Sequence, residues 1–190
     1  DQFEILANQN KSSSSALSEL PTAYDYIRLG HPLSCVLEWA IAKLNNLAPD
    51  QVISFLSKTT PILSVLRKNL LNHKNTLIAY TNELPSSFDT EVLKTVYGYT
   101  FELRKVEKAS DVSEFDGSVI FVSHQDEISP INQNSNIDFY IHLYADFGSV
   151  LLVNGEQNKE YISDIQHVRR RETVAMTPNN CLAALKSLVN

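Results

Sequence analysis

Short runs of β-branched and aromatic residues alternate with amphipathic helical segments along most of this chain, and that alternation restricts the fold more than any other feature. Val52 to Leu56, Thr76 to Tyr80, Thr100 to Val106, Ser118 to Ser123, Phe139 to Tyr144 and Ser149 to Asn154 have strand character. Between and around them, helical spacing of apolar residues marks Ser34 to Leu44, the segment with Ile62, Leu63, Val65, Leu66 and Leu70, and then Phe88 to Tyr97, Glu160 to Arg171 and Asn179 to Leu188. Strands separated by helices of this length connect through crossovers. The spacing therefore predicts an α/β fold, with a mostly parallel sheet and helices on both faces.

Local signals support the segment ends. Val36, Leu37, Ala40, Ile41 and Leu44 form one stripe of the first long helix, with Glu38, Lys43 and Asn45 opposite and Trp39 beside the stripe at an expected interface. Pro61 suits a first helical turn, and Ser86 with Asp89 is placed like a capping box. Gln125 to Asn136 is the one polar loop long enough to be a deletion scar or a binding loop. Residues 1 to 21 include Asn-Gln-Asn-Lys-Ser-Ser-Ser-Ser and read as an extended N-terminal arm, whose Phe3, Ile5 and Leu6 have no obvious local partner. Residues 22 to 190 form the α/β domain.

Composition removes several function classes. The 190 residues carry only five glycines, Gly30, Gly98, Gly117, Gly148 and Gly155, so neither a dinucleotide fingerprint nor a P-loop can be built. Cys35 and Cys181 are far apart with no ligand partners at metal spacing, which argues against a zinc site or a disulfide scaffold and for an intracellular, cytoplasmic chain. No apolar run approaches the roughly 18 residues of a membrane span. The net charge of -6 opposes nucleic-acid binding, although His167, Arg169, Arg170 and Arg171 form a basic run at the end of a helix. His31, His73, His124 and His142 lack the spacing of a metal site; His124 with Asp126 and Glu127 is the densest polar cluster, at a strand end where open α/β sheets place ligands. Ser57 and Ser123 have no elbow glycine beside them.

One stretch is more specific. Tyr26-Ile-Arg-Leu-Gly-His-Pro-Leu, followed by a helix containing Leu37-Glu38 and Ile41-Ala42-Lys43-Leu44, resembles the Tyr-x-Arg-x-Gly-Asn-Pro-Thr segment and the next helix of the transsulfuration family of pyridoxal-phosphate enzymes, the cystathionine γ-synthases and γ-lyases. By that resemblance, Tyr26 and Arg28 correspond to a pair that reaches across a dimer interface to the cofactor phosphate. A guanidinium fork and a phenol suit such an anion. Ile137-Asp-Phe-Tyr-Ile-His-Leu-Tyr-Ala-Asp146 is similar to the family strand that ends in Ser-Ala-Thr-Lys, and Val52 to Ile62 is similar to the strand and loop entering its phosphate turn. The implied fold is the large domain of a fold-type I pyridoxal-phosphate enzyme, with the small C-terminal domain absent.

The departures fall on the cofactor site. Asp146 stands where the resemblance places the Schiff-base lysine, and a carboxylate forms no imine. Lys58 replaces the glycine of the phosphate turn, leaving an ammonium to contact an anion. Leu84 to Ser87 has no aromatic where the family stacks a tyrosine on the cofactor ring, and the strand with the aspartate that pairs with the ring nitrogen is missing between Ser123 and Ile137. The expectation is therefore a non-catalytic domain with no cofactor, kept as a protein-interaction or regulatory module and meeting a protein partner or its own copy through the N-terminal arm. Tyr26 and Arg28 would be vestigial phosphate contacts. The alternative is a pyridoxal-phosphate-dependent transsulfuration enzyme, or a fragment of one completed by another chain.

Overall fold

The computed structural model describes residues 5, 6, 8, 9, 13, 15, 16 and 30–189. Tyr26 and Arg28 lie outside the described residues. Strands β1 (Val52–Phe55), β2 (Thr76–Tyr80), β3 (Phe101–Lys105), β4 (Ser118–Gln125), β5 (Phe139–Tyr144) and β6 (Gly148–Val153) form one sheet in the order β1-β6-β5-β4-β2-β3. The β2–β3, β2–β4 and β4–β5 pairs are parallel, while β6 runs antiparallel to both β5 and β1. The reversal comes from a tight connection. Only residues 145–147 separate β5 from β6, too few for the crossover a parallel neighbour needs.

Helices cover both faces. Helix α1 (Pro32–Leu44) and helix α5 (Pro178–Val189) bury Leu33, Leu37, Ile41, Cys181, Ala184 and Leu185 against Leu77, Phe121, Tyr140, Val150 and Leu152 of one sheet face. Helix α2 (Thr60–Leu71) and helix α4 (Ile162–Glu172) bury Ile62, Val65, Leu66, Ile162 and Ile165 on the other, against Ile53, Ile78, Ile120, Ile141 and Leu151. The central strands are buried on both sides, as strands covered by helices on both faces must be. Leu6 of the N-terminal segment packs against the first of these cores. Among the described residues, no helix is long and apolar enough to cross a membrane.

The segment ends differ from the sequence reading where long-range contacts decide them. The short helix α3 (Thr90–Thr95) is less than the Phe88 to Tyr97 expected; Asp89 alone caps it, accepting from Val92 N at 3.0 Å. Leu44, expected in the core stripe of α1, is 37% exposed, because the helix ends there and Asn45 turns back to bond Ile41 O. Helix α1 starts at Pro32, two residues early, because His31 caps it: Ser34 N donates to His31 Nδ1 while Ser34 Oγ donates to His31 O. The other ring nitrogen, Nε2, donates to Met176 O at 2.8 Å, so the cap also fixes the approach to α5.

One edge of the sheet is closed by side chains. Strand β1 pairs only with β6, leaving Ser54 N–H and C=O on its outer edge. Glu38 Oε1 accepts from Ser54 N and Ser54 Oγ at 2.8 and 2.7 Å, and Arg169 Nη1 donates to Glu38 Oε1 and to Ser54 O. Both charged side chains are largely buried. Removing one partner of such a pair strands the other charge, so Arg169→Ala is expected to lower stability by about 3 kcal/mol or more. Urea unfolding of the variant checks this; a loss under about 1 kcal/mol, the usual worth of an exposed pair, would show that the pair is solvated.

Candidate functional site

Three pieces of chain meet at the C-terminal ends of the parallel strands: the β5–β6 turn, the turn that leads from β1 into α2, and the segment before α3. Gly148 makes the first possible. It lies at φ 104°, and a Cβ there would come within 2.2 Å of Phe55 O, so only glycine lets the turn press on the end of β1. Ser149 Oγ then donates to Ser57 O at 2.6 Å, and Lys58 Nζ donates to Ala145 O at 3.3 Å. Thr59 Oγ1 and Ser87 Oγ share a hydrogen bond of 2.5 Å. Lys58 thus reaches the turn that carries position 146. Asp146 itself is exposed in the turn, and Lys58 bonds the neighbouring carbonyl.

The start of α2 is already satisfied from within. Ser57 Oγ accepts from Thr59 N, Thr60 N and Thr60 Oγ1 at 2.9 to 3.2 Å, and Pro61 brings no N–H. Backbone donors that commonly cradle phosphate are therefore engaged. What remains for an anion here is the Lys58 ammonium, with protons beyond the one given to Ala145 O, and the one hydroxyl proton that the Thr59–Ser87 bond leaves over. That donor set fits a phosphate group through side chains; Asp146 does not fit covalent attachment of an aldehyde.

Other candidates resolve into structural roles. His124 Nε2 bonds Glu83 O at 2.9 Å and joins β4 to the segment before α3. Arg169, read as part of a basic run, is buried in the Glu38 pair, while Arg170 meets His167 at 3.1 Å. Cys35 is exposed and Cys181 buried, both free, with burial raising both thiols above their ordinary pKa. The segment 126–136 between β4 and β5 contains no strand, and β4 pairs directly with β5. Asn134 pins that loop, with its side chain donating to Ala109 O and Val112 O and its N–H donating to the Tyr140 hydroxyl.

Sequence reasoning missed the significance of His142. The register sets it beside Ser123 on the next strand, facing a cavity of about 320 Å³. Its only signal in the sequence is a polar residue inside an otherwise apolar β5 strand. It is 6% exposed, and burial pushes its imidazole down to about 4.

No protein-family model matches the chain, and no curated protein matches its sequence. Solved structures do match its fold. Cystathionine gamma synthase from Xanthomonas oryzae pv. oryzae, in complex with cystathionine, is 15% identical with a TM-score of 0.56, covering 90% of this chain and 54% of that one. Cystathionine gamma-lyase from yeast is 14% identical with a TM-score of 0.58, covering 88% and 52%. The PLP-dependent cyclase OrfR is 12% identical with a TM-score of 0.50, covering 100% and 61%. The chain thus spans about half of the transsulfuration structures it matches and somewhat more of the cyclase.

The expectation of no cofactor is corrected by these likenesses, since a solved structure that shares the fold, the cyclase, is PLP-dependent. The physical reason is that a missing lysine removes one covalent bond, whereas an anion is held by separate contacts such as those Lys58 can make.

The pH dependence of His142 has a definite sign. Its folded pKa of about 4 lies below the ordinary value of about 6.5, so the unfolded chain binds more protons between the two. Its contribution to stability is present above about pH 6.5 and lost as pH falls toward 4, on the order of 3 kcal/mol. Comparing urea midpoints across this window for the chain and for His142→Phe tests it: the variant is expected to lose that part of the slope. Over about half of their length, the cystathionine γ-synthase and γ-lyase structures share this chain's fold.

Proposed function

We propose that this chain is a transsulfuration-enzyme-like domain that does not itself carry out transsulfuration and works as a protein-interaction or regulatory module, with pyridoxal phosphate as the ligand suited to its fold. The observation that carries this reading is Asp146, an exposed carboxylate in the β5–β6 turn, where the resemblance places the imine-forming lysine. Pyridoxal phosphate, when bound, supplies an aldehyde and an electron-withdrawing ring. This chain's residues would hold its phosphate through the Lys58 ammonium and the one hydroxyl proton that the Thr59–Ser87 bond leaves over, with Tyr26 and Arg28 as the further contacts implied by resemblance. None of these groups replaces the lost covalent attachment at position 146.

A second reading is supported by length. Spanning about half of the enzymes it matches, the chain would be a fragment of a pyridoxal-phosphate-dependent transsulfuration enzyme completed by another chain.

Asp146→Lys tests the first reading. The variant, mixed with pyridoxal phosphate, is expected to develop a visible absorption band and a borohydride-fixed adduct that maps to residue 146, while the unchanged chain shows no turnover of cystathionine. An adduct-free variant would sink the shared-site register, and turnover by the unchanged chain would favour the second reading. The N-terminal arm is the proposed contact for a partner or a second copy. Deleting residues 1–19 is expected to lower the mass seen by sedimentation or to abolish a partner complex; an unchanged assembly counts against it.

A further inference from the structure

The cavity beside His142 shares none of its lining residues with the Ser57 to Thr60 turn, and it is built differently. Its floor is the sheet, where Phe121 and Ser123 of β4 lie beside Tyr140 and His142 of β5. Ile131 from the 126–136 loop closes one wall, and Lys108, just beyond β3, stands at another. The loop is held in place, because Ile131 N donates to Asn45 Oδ1 and Gln133 Nε2 donates to Asn45 O. The cavity is therefore part of the fold.

The chemistry inside it is incomplete. His142 touches the edge of the Tyr140 ring, but among the described residues no donor or acceptor bonds either ring nitrogen. The buried side-chain atom without a partner among the described residues is Ser118 Oγ; the His142 nitrogens instead lie at the open cavity, where they can bond whatever enters it. Close by, Gln125 Nε2 donates to Ser123 Oγ, which leaves the Gln125 carbonyl as an acceptor and the Ser123 hydroxyl proton as a donor. We propose that this cavity binds a small uncharged molecule presenting a hydrogen-bond donor next to an acceptor, as a carboxamide does, with an apolar body against Phe121, Tyr140 and Ile131.

Two features select against ions. An imidazole kept neutral by burial offers one N–H and one lone pair, not a positive charge. The charged groups that line the cavity, Glu107 and Lys108, are one of each sign and both exposed, so they leave no net charge to draw in an anion. The volume sits at the small end of ligand pockets, which begin at about 300 Å³.

Nicotinamide and nicotinate make a matched pair of probes, alike in shape and differing in charge. At neutral pH, nicotinamide is expected to shift the His142 ring resonances saturably in the NMR spectrum of the full chain. Nicotinate is expected to bind at least roughly tenfold more weakly, the worth of about one hydrogen bond. His142→Phe should lose nicotinamide binding by a similar factor. Ile131→Trp, at a half-exposed wall, should narrow the cavity and do the same while leaving all the polar groups in place. Equal binding of both probes, no saturable shift at all (a cavity for water only), or unchanged nicotinamide binding in Ile131→Trp would each overturn the proposal. Should His142→Phe fail to fold, the two probes and Ile131→Trp still decide it. Adducts at residue 146 in Asp146→Lys are independent of these results.

Discussion

The Glu38 carboxylate is the point on which both halves of the molecule hang. Strand β1 is an edge strand, and an open edge leaves backbone N–H and C=O groups ready to pair with another chain. Here α1 on one face supplies Glu38 to the Ser54 N–H, and α4 on the other face supplies Arg169 to Glu38 and to the Ser54 carbonyl. One ion pair thus satisfies the edge and ties the two helix layers together across it. Leu56 N extends the closure by donating to Val174 O just beyond α4. The strong desolvation of both charges makes the arrangement costly to break and leaves little room for an alternative packing of either helix.

Closure of that edge also positions the candidate site. With β1 fixed, its far end feeds the Ser57 to Thr60 turn, and Gly148 brings the β5–β6 turn down onto Phe55. Ser149 and Lys58 then tie the two turns together by side-chain to backbone bonds. The amine and the carboxylate at position 146 arrive at the same end of the sheet through two unrelated chain segments. Their nearness follows from sheet order, not from sequence spacing. Because Ser57 consumes the helix-starting N–H groups of this turn, any anion there would have to meet side chains, Lys58 first among them.

How much of this was legible in the sequence depended on the range of the interaction. The strands from Thr76 to Tyr80 and from Phe139 to Tyr144 were readable to the residue, because a buried strand announces itself locally through its side chains. The ends of α1 and α3 were not, since His31 and Asn45 act through partners that only the folded chain supplies. Arg169 was misread for the same reason: three arginines at a helix end look like a solvated cationic turn until Glu38, 131 positions earlier, appears beside one of them. The turn at position 146 was readable from Asp146 and Gly148 as the end of a strand. Its exposure, and the bond Lys58 makes to Ala145 instead of to Asp146, depend on turn geometry that no local pattern encodes.

His142 shows what a local inconsistency can mean. Every other residue of β5 is hydrophobic or aromatic and buried, and a phenylalanine at 142 would avoid the cost that burial places on a charged imidazole. A chain selected for stability alone has no reason to keep a histidine there. A polar side chain inside an otherwise apolar strand is expected where a site does something besides fold. The same cavity receives Ser123 and Gln125 from β4, and it sits beside the 126–136 loop; direct pairing of β4 with β5 is what brings these polar side chains into register with His142.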